Sequence, residues 1–454
     1  MIFEIEELGE KYKGKTAFIE NGNCKSFEEL FSFAKEISDK ILQKKLPVIV
    51  LGSRSYEAMA AILGCVIAKR AYVPVDDSIP KERKDKIIES SGAGTVMDCT
   101  EGKIVITEIK DGGTKNNDTA YIIFTSGSTG EPKGVPVLYE NLDGFIEWMT
   151  KLYPLNEIEH PVVLNQASFS FDLSTAAVYY SLFCGGILVQ LDFDGDFNKI
   201  FETIKRSKAN VFVVTPTFMR LCLLNKDFCE DEFPFVKCIY FCGEVLQKSL
   251  VDAVFERFND IKIINAYGPT EATSAVSAIE ITKEMLVNEE ILPVGRIGET
   301  ASEVFIEDDE IVLKGRTVFG GYVEGKCGGY YTEDGINCYR TGDIGFISDG
   351  KIYCKGRKDG QIKYKGYRIE LSDIEANIAG IKGVKNNAVV EIRNENGDVK
   401  YIKAFVSGDL DEKYIRSELN KKLPEYMIPK TIKFIEKLPV NRNGKIDRKE
   451  LLNL

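Results

Sequence analysis

Between Tyr121 and Gly134 the chain reads YIIFTSGSTGEPKG, and this stretch restricts the possible folds more than any other. Four apolar residues, Tyr121 to Phe124, have the length and composition of a buried strand. The chain then enters Thr125, Ser126, Gly127, Ser128, Thr129, Gly130, Glu131, Pro132, Lys133 and Gly134, a composition that forces a tight loop. Three glycines let backbone N–H groups approach an anion, four hydroxyls can donate to phosphate oxygens, and Lys133 adds a positive charge. The chemistry is that of a phosphate loop. It is not a Walker A loop, because Gly127-x-x-Gly130-x-x-Lys133 lacks the GxxxxGK[ST] spacing and the hydroxyl after the lysine. The other reading is a solvated Gly/Ser linker, but linkers rarely follow a buried strand and end in Pro-Lys-Gly.

A chain of 454 residues is too long for one ordinary core, so at least two domains are expected. No apolar run reaches the roughly 18 to 20 residues that cross a bilayer. The longest candidate, Ala58 to Ala68, is broken by Gly64, so no membrane insertion is expected. The start, MIFEIEELGEKYKGK, is acidic where a secretory leader is basic and then apolar, which favours a cytoplasmic protein. Eleven scattered cysteines without a CxxC pair argue against a disulfide framework or zinc site, and Cys238 and Cys242 read as packing at a strand end. A net charge of −11 argues against a nucleic-acid surface. The single histidine, His160, removes His-based triads and any site needing two imidazoles.

Along the chain, a hairpin around Asn21-Gly22-Asn23 precedes an amphipathic helix from Ser26, and strands then alternate with helices. The strands include LPVIVLG, AYVPVD, VVLNQ, NVFVV, KCIYF and KIINAYG; among the helices are Tyr56 to Lys69 and Leu173 to Phe183. This alternation predicts an α/β fold: parallel-rich sheets flanked by helices, with ligands at the carboxyl ends of the strands. The phosphate loop, Gly243-Glu244 and Asn265 to Glu271 all fall directly after predicted strands. From about Leu292 short β segments with glycine turns predict a small β subdomain over 292–357. The expected division is a core domain, 1–357, and a small mobile α+β domain, 358–454.

Asn265-Ala-Tyr-Gly-Pro-Thr-Glu271, Tyr339-Arg-Thr-Gly-Asp343, Gly356-Arg357-x-Asp359, Lys365-Gly-Tyr-Arg-Ile-Glu370 and Pro439-Val-Asn-Arg-Asn-Gly-Lys445 follow the phosphate loop in order. Together with it they resemble the motifs of the adenylate-forming superfamily: acyl-CoA synthetases, luciferases and the adenylation domains of nonribosomal peptide synthetases. The resemblance implies ATP with Mg²⁺. It gives Gly243, Glu244, Asn265, Ala266, Tyr267 and Gly268 to the nucleotide, with adenine stacked on Tyr267, the α-phosphate on Thr270 and Mg²⁺ on Glu271. Asp343, assisted by Arg357, would take the ribose hydroxyls; Asp359 would be the hinge; Gly366 would face a pantetheine thiol; Lys445 would be the catalytic lysine. Read without the resemblance, Pro269 to Glu271 is a turn capped at a helix start, and Lys445 a solvated lysine on a hairpin turn.

The amino-acid end is read from Ser168 to Ser174, SFSFDLS. In amino-acid-activating members an aspartate here pairs with the substrate ammonium, and Asp172 stands at that place; it also suits a helix N-cap. Leu173, Ala176, Tyr240, Cys242, Ala266 and Ser274 fall at the pocket-lining places. The context of Cys242 is most similar to superfamily members that load D-alanine onto a carrier protein. Ala176, Tyr240, Ala266 and Ser274 replace the Met, Met, Thr and Val expected there, so the cavity is reshaped. The resemblance implies an amino-acid ligase, with D-alanine among its candidate substrates, that transfers aminoacyl groups to the phosphopantetheine of a separate carrier protein. The alternatives are an L-amino-acid-activating peptide-synthetase enzyme, an acyl- or aryl-CoA ligase, and a non-catalytic nucleotide sensor.

Overall fold

The computed structural model describes residues 2–52, 54–110, 118–127, 130–191, 197–325, 328–358, 360–394, 397–408, 410–439 and 446–454. The chain forms two compact units. The first comprises Met1–Asp77, Ser90–Ile123 and Gly134–Lys358; the second comprises Ser78–Glu89, Phe124–Lys133 and Asp359–Leu454.

The expected parallel-rich α/β class is what forms. In the first unit the strands Lys262–Tyr267, Cys238–Phe241, Val211–Val214, Val162–Asn165, Ile187–Gln190 and Thr16–Glu20 pair in parallel in that order. Ser277–Glu280 and Asn23–Ser26 close the two edges antiparallel. Alternation sorts the side chains to two faces. Val163, Val211, Val213, Tyr240, Cys242, Ile264 and Ala266 enter one buried cluster, while Leu164, Phe212, Val214, Ile239, Phe241 and Ile263 enter another. Both faces are therefore covered, which is why these strands read as continuous apolar runs. The helix Leu173–Phe183 is buried from Leu173 through Leu182 and packs into the first cluster. A helix with no polar face belongs inside the core.

A second sheet has the order Val105–Glu108, Thr95–Asp98, Val48–Leu51, Tyr72–Val75, Thr119–Thr125, Lys133–Leu138. The predicted β subdomain is an antiparallel sheet of Gly295–Arg296, Lys351–Arg357, Ile336–Ser348, Glu310–Lys314 and Glu303–Glu307, with Tyr330–Glu333 beside Ile336–Ser348. The sequence pattern does not single out Ile187–Gln190, Lys133–Leu138, Phe197–Ser207 or Pro216–Cys222. A four-residue strand such as Ile187–Gln190 offers only two alternations, too few to stand out from a flanking loop.

The second unit carries the hairpin Gln361–Tyr364 with Tyr367–Glu370, the helix Leu371–Ala379, and a sheet of Val384–Arg393, Val399–Gly408 and Thr431–Phe434. Ile369, Leu371, Ile374, Ile378, Ile402, Ala404, Ile415 and Leu419 form its core. Among the described residues no helix is long and apolar enough to cross a membrane.

Candidate active site

The β subdomain presents the first cluster of site residues. Asp343 and Arg357 stand directly opposite each other on neighbouring antiparallel strands, so their side chains share one face. The Arg357 guanidinium donates to Asp343 Oδ1 at 2.8 Å, and the Tyr267 phenol donates to Oδ2 at 2.6 Å. Burial, and then the Asp343 charge, push the Tyr267 phenol well above its ordinary range, so it remains a donor. The Tyr267 ring is 7 % exposed and packs into a buried cluster with Val135 and Phe319. The turn before Asp343 is held by Glu310, which accepts from the Gly342 N–H at 2.7 Å and from Arg340 at 3.1 Å.

The motif after Lys262–Tyr267 turns sharply. A Cβ at Gly268 would stand 2.5 Å from the Ala275 Cα, so only glycine lets the chain double back here. Thr270–Ala272 is a single 3-10 turn with no side-chain cap, which corrects the reading of a capped helix start. Glu271 is 0 % exposed and accepts from the Tyr322 phenol at 2.7 Å. The Thr270 hydroxyl donates to Asp172 Oδ2 at 2.5 Å. Asp172 makes no cap bond to the helix that it precedes, so the N-cap reading is corrected as well. Asn265 donates to the Pro293 carbonyl at 2.8 Å, and Glu244, after Gly243, accepts from the Thr217 N–H at 2.8 Å.

Five of the six pocket-lining candidates, all but Ser274, converge on one sheet face. Tyr240 pairs with Ile264, so Tyr240, Cys242, Ile264 and Ala266 project to the same side, where Leu173 and Ala176 of the covering helix join their cluster. Asp172, at the start of that helix, and Cys242 act electrostatically on the Tyr240 phenol, which burial already pushes far up. A carboxylate, a phenol and a thiol at the carboxyl end of a sheet can receive an ammonium and a short side chain.

The phosphate loop belongs to the second unit. A Cβ at Gly127 would lie 2.1 Å from the Glu131 carbonyl, which explains the glycine at this tight turn. Ser126 donates to the Arg368 carbonyl at 3.0 Å and accepts from the Glu370 N–H at 2.9 Å. Lys133 lies 3.2 Å from Glu370 Oε1. The Thr125 hydroxyl is buried without a partner among the described residues. Gly130 packs on Ala376 and Asn377. Asp373 accepts from Gly127 and pairs with Arg83 at 3.2 Å. Gly366, with Lys365, forms the two-residue turn of the hairpin, both at positive φ. Ser128, Thr129, Asp359 and Lys445 lie outside the described residues. The sequence reading missed Tyr322, Glu310, Arg83 and Asp373; each is an ordinary residue whose role appears only beside its partner.

Residues 5–323 match the AMP-binding enzyme family, and residues 373–445 match the AMP-binding enzyme C-terminal domain. The chain is 35 % identical over 497 residues to the D-alanine–D-alanyl carrier protein ligase of Bacillus licheniformis, covering 99 % of this chain and 98 % of that protein. It is 38 % identical over 456 residues to the same-named ligase of Staphylococcus aureus, with 94 % and 93 % covered. In fold it is similar to the Vibrio cholerae adenylation domain AlmE, solved with glycyl-adenosine-5'-phosphate: TM-score 0.85, 24 % identity, 99 % and 96 % covered. It is similar also to holo-PA1221, which contains adenylation and PCP domains: TM-score 0.83, 21 % identity, 100 % and 85 % covered. With both family matches in order and this identity over nearly its whole length, the chain belongs to the AMP-binding enzyme family and is an AMP-forming ligase.

Proposed function

We propose that this protein activates a small amino acid with ATP and transfers it as a thioester to the phosphopantetheine of a separate carrier protein. D-Alanine is the first candidate because the full-length relatives are named as D-alanine–D-alanyl carrier protein ligases. The observation that carries the reading is Asp172. Its carboxylate accepts from the Thr270 hydroxyl and acts on the Tyr240 phenol, whose sheet face also carries Cys242 and Ala266, and an ammonium is a group that such a carboxylate can receive. An acyl- or aryl-CoA ligase would have no use for it.

In the first half-reaction the substrate carboxylate attacks the α-phosphorus and pyrophosphate leaves. Asp172 fixes the ammonium, and Thr270, released from Asp172, turns its hydroxyl to the α-phosphate. Asp343, already flanked by Arg357 and Tyr267, takes the ribose hydroxyls. Lys445 supplies positive charge where two anions meet, which is worth several kcal/mol in transition states of this kind. Mg²⁺ would arrive with the nucleotide and neutralise its phosphates. Glu271 fits it as one buried, hard oxygen donor, since this ion uses one or two carboxylates beside phosphate oxygens. In the second half-reaction the carrier thiol attacks the acyl carbon, the thioester forms and AMP leaves; Gly366 is the residue that we assign to the pantetheine. Dependence on ATP favours a cytoplasmic location.

The test is amino-acid-dependent ATP–pyrophosphate exchange over a panel of D- and L-amino acids, with Lys445→Ala as control. Exchange with at least one amino acid, abolished in the control, is expected. AMP release that needs CoA and a simple carboxylic acid would favour a CoA ligase, and tight ATP binding without exchange would favour a sensor.

A further inference from the structure

Two buried hydroxyls on residues read from the sequence as pocket-lining lack a hydrogen-bond partner among the described residues. The Tyr240 phenol, on a residue 0 % exposed, has no hydrogen-bond partner among the described residues, and neither has the Ser274 hydroxyl, on a residue 3 % exposed. Buried polar side chains nearly always find a partner, so each orphan calls for a reason. Phenylalanine and alanine would fill the same volumes without stranding a polar atom.

Their placement supplies the reason. Tyr240 projects from the sheet face that carries Cys242, Ile264 and Ala266, against the helix start that carries Asp172, Leu173 and Ala176. Asp172 and Cys242 both act on its phenol electrostatically. Ala176 and Ala266 each contribute only a methyl to this cluster. Ser274 follows the turn of the second nucleotide motif, with Thr273 and Ser274 both at positive φ, 59° and 73°. Side chains rarely adopt that backbone, and the close approach of Gly268 to Ala275 holds it there. The hydroxyl is thus held in place by the backbone while its hydrogen bonds remain unmade. Among the described residues, Asp172 is the carboxylate that acts on the Tyr240 phenol, and it is already assigned to the ammonium, so the side chain proposed here is uncharged.

We propose that the amino acid taken by this site bears a short, uncharged, hydrogen-bonding side chain, a hydroxyl or carboxamide, received by Tyr240 with Ser274 as second partner. The proposal rests on Asp172 binding the substrate ammonium, and it places a polar amino acid ahead of the D-alanine that the relatives' names suggest. A pocket with unpaired polar groups rejects an isostere that cannot bond them far more strongly than an apolar pocket rejects one methylene.

The experiment measures kcat/KM for ATP–pyrophosphate exchange with both enantiomers of serine, threonine, asparagine, alanine and 2-aminobutyrate, the last having a methyl where serine has its hydroxyl. The expected result is a preference of at least about 10-fold for a polar member over both alanine and 2-aminobutyrate. In Tyr240→Phe that preference should fall to within about 3-fold, mostly through a higher KM for the polar substrate, and Ser274→Ala should reduce it by a smaller factor. Alanine or 2-aminobutyrate used as well as the best polar substrate would overturn the proposal and leave the adenylation reading standing. So would a preference unchanged in both variants. No exchange with any amino acid would overturn both readings together. The wild-type comparison of serine with 2-aminobutyrate decides even if a variant fails to fold.

Discussion

The Thr270 hydroxyl donates to the Asp172 carboxylate across 2.5 Å, joining residues 98 apart in sequence. The group proposed for the α-phosphate and the group proposed for the ammonium are thus each other's partners. In the proposed reaction each turns from the other to its own substrate. Asp172→Asn keeps a partner for Thr270 and removes the charge. It is expected to lower kcat/KM for the amino acid by at least about 100-fold and to change ATP affinity by less than about 3-fold. Calorimetry with ATP beside exchange kinetics separates the two effects, and equal losses in both would contradict the assignment.

Tyr267 supports Asp343, the residue proposed for the ribose, through one neutral donor to an anion. Tyr267→Phe should weaken ATP binding by about 5- to 10-fold, corresponding to about 1–1.5 kcal/mol for a hydrogen bond of this class. Because the folded phenol titrates above its unfolded value, its support is complete below about pH 10 and is lost only as pH rises through the folded pKa. The ratio of wild-type to variant affinity should therefore be flat from pH 6 to about 9 by titration calorimetry.

Glu310 holds the turn that presents Asp343. Burial raises its carboxyl pKa, but the Gly342 N–H, Arg340 and Lys358 together outweigh burial and leave it lowered. A lowered carboxyl supports the fold above its unfolded value, and the support is lost as pH falls through the folded one. Glu310→Gln should cost about 1–2 kcal/mol in urea unfolding at pH 7 and weaken nucleotide binding. The stability difference should vanish below the ordinary carboxylate range.

Arg83 and Asp373 form a buried ion pair across 290 residues, 3.2 Å apart. Burial raises the Asp373 carboxyl and Arg83 pulls it back, with a net rise. A raised carboxyl supports the fold only at low pH and loses that support as pH rises through the folded pKa. Arg83→Met removes the counter-charge and should destabilise by about 3–5 kcal/mol at neutral pH, with the deficit shrinking on acidification. Adding Asp373→Leu should recover most of the loss. A deficit that grows toward pH 5 in denaturant melts would refute this account.

What the sequence determined by itself is local. Short apolar-rich runs marked Val211–Val214, Cys238–Phe241 and Lys262–Tyr267, a mostly apolar stretch marked the helix Leu173–Phe183, and glycines marked the turns at Gly127 and Gly268. Each signal spans a few residues, and backbone geometry alone makes it legible. The order of the motifs carried the family in the same way. Tertiary structure decided which groups meet. Tyr322 reaches Glu271 across 51 residues, Thr270 reaches Asp172 across 98, and Arg83 reaches Asp373 across 290. It also left the Tyr240 and Ser274 hydroxyls without hydrogen-bond partners among the described residues. Such pairings depend on strand order and on which face each side chain takes, and a linear pattern encodes the face but not the neighbour across the sheet.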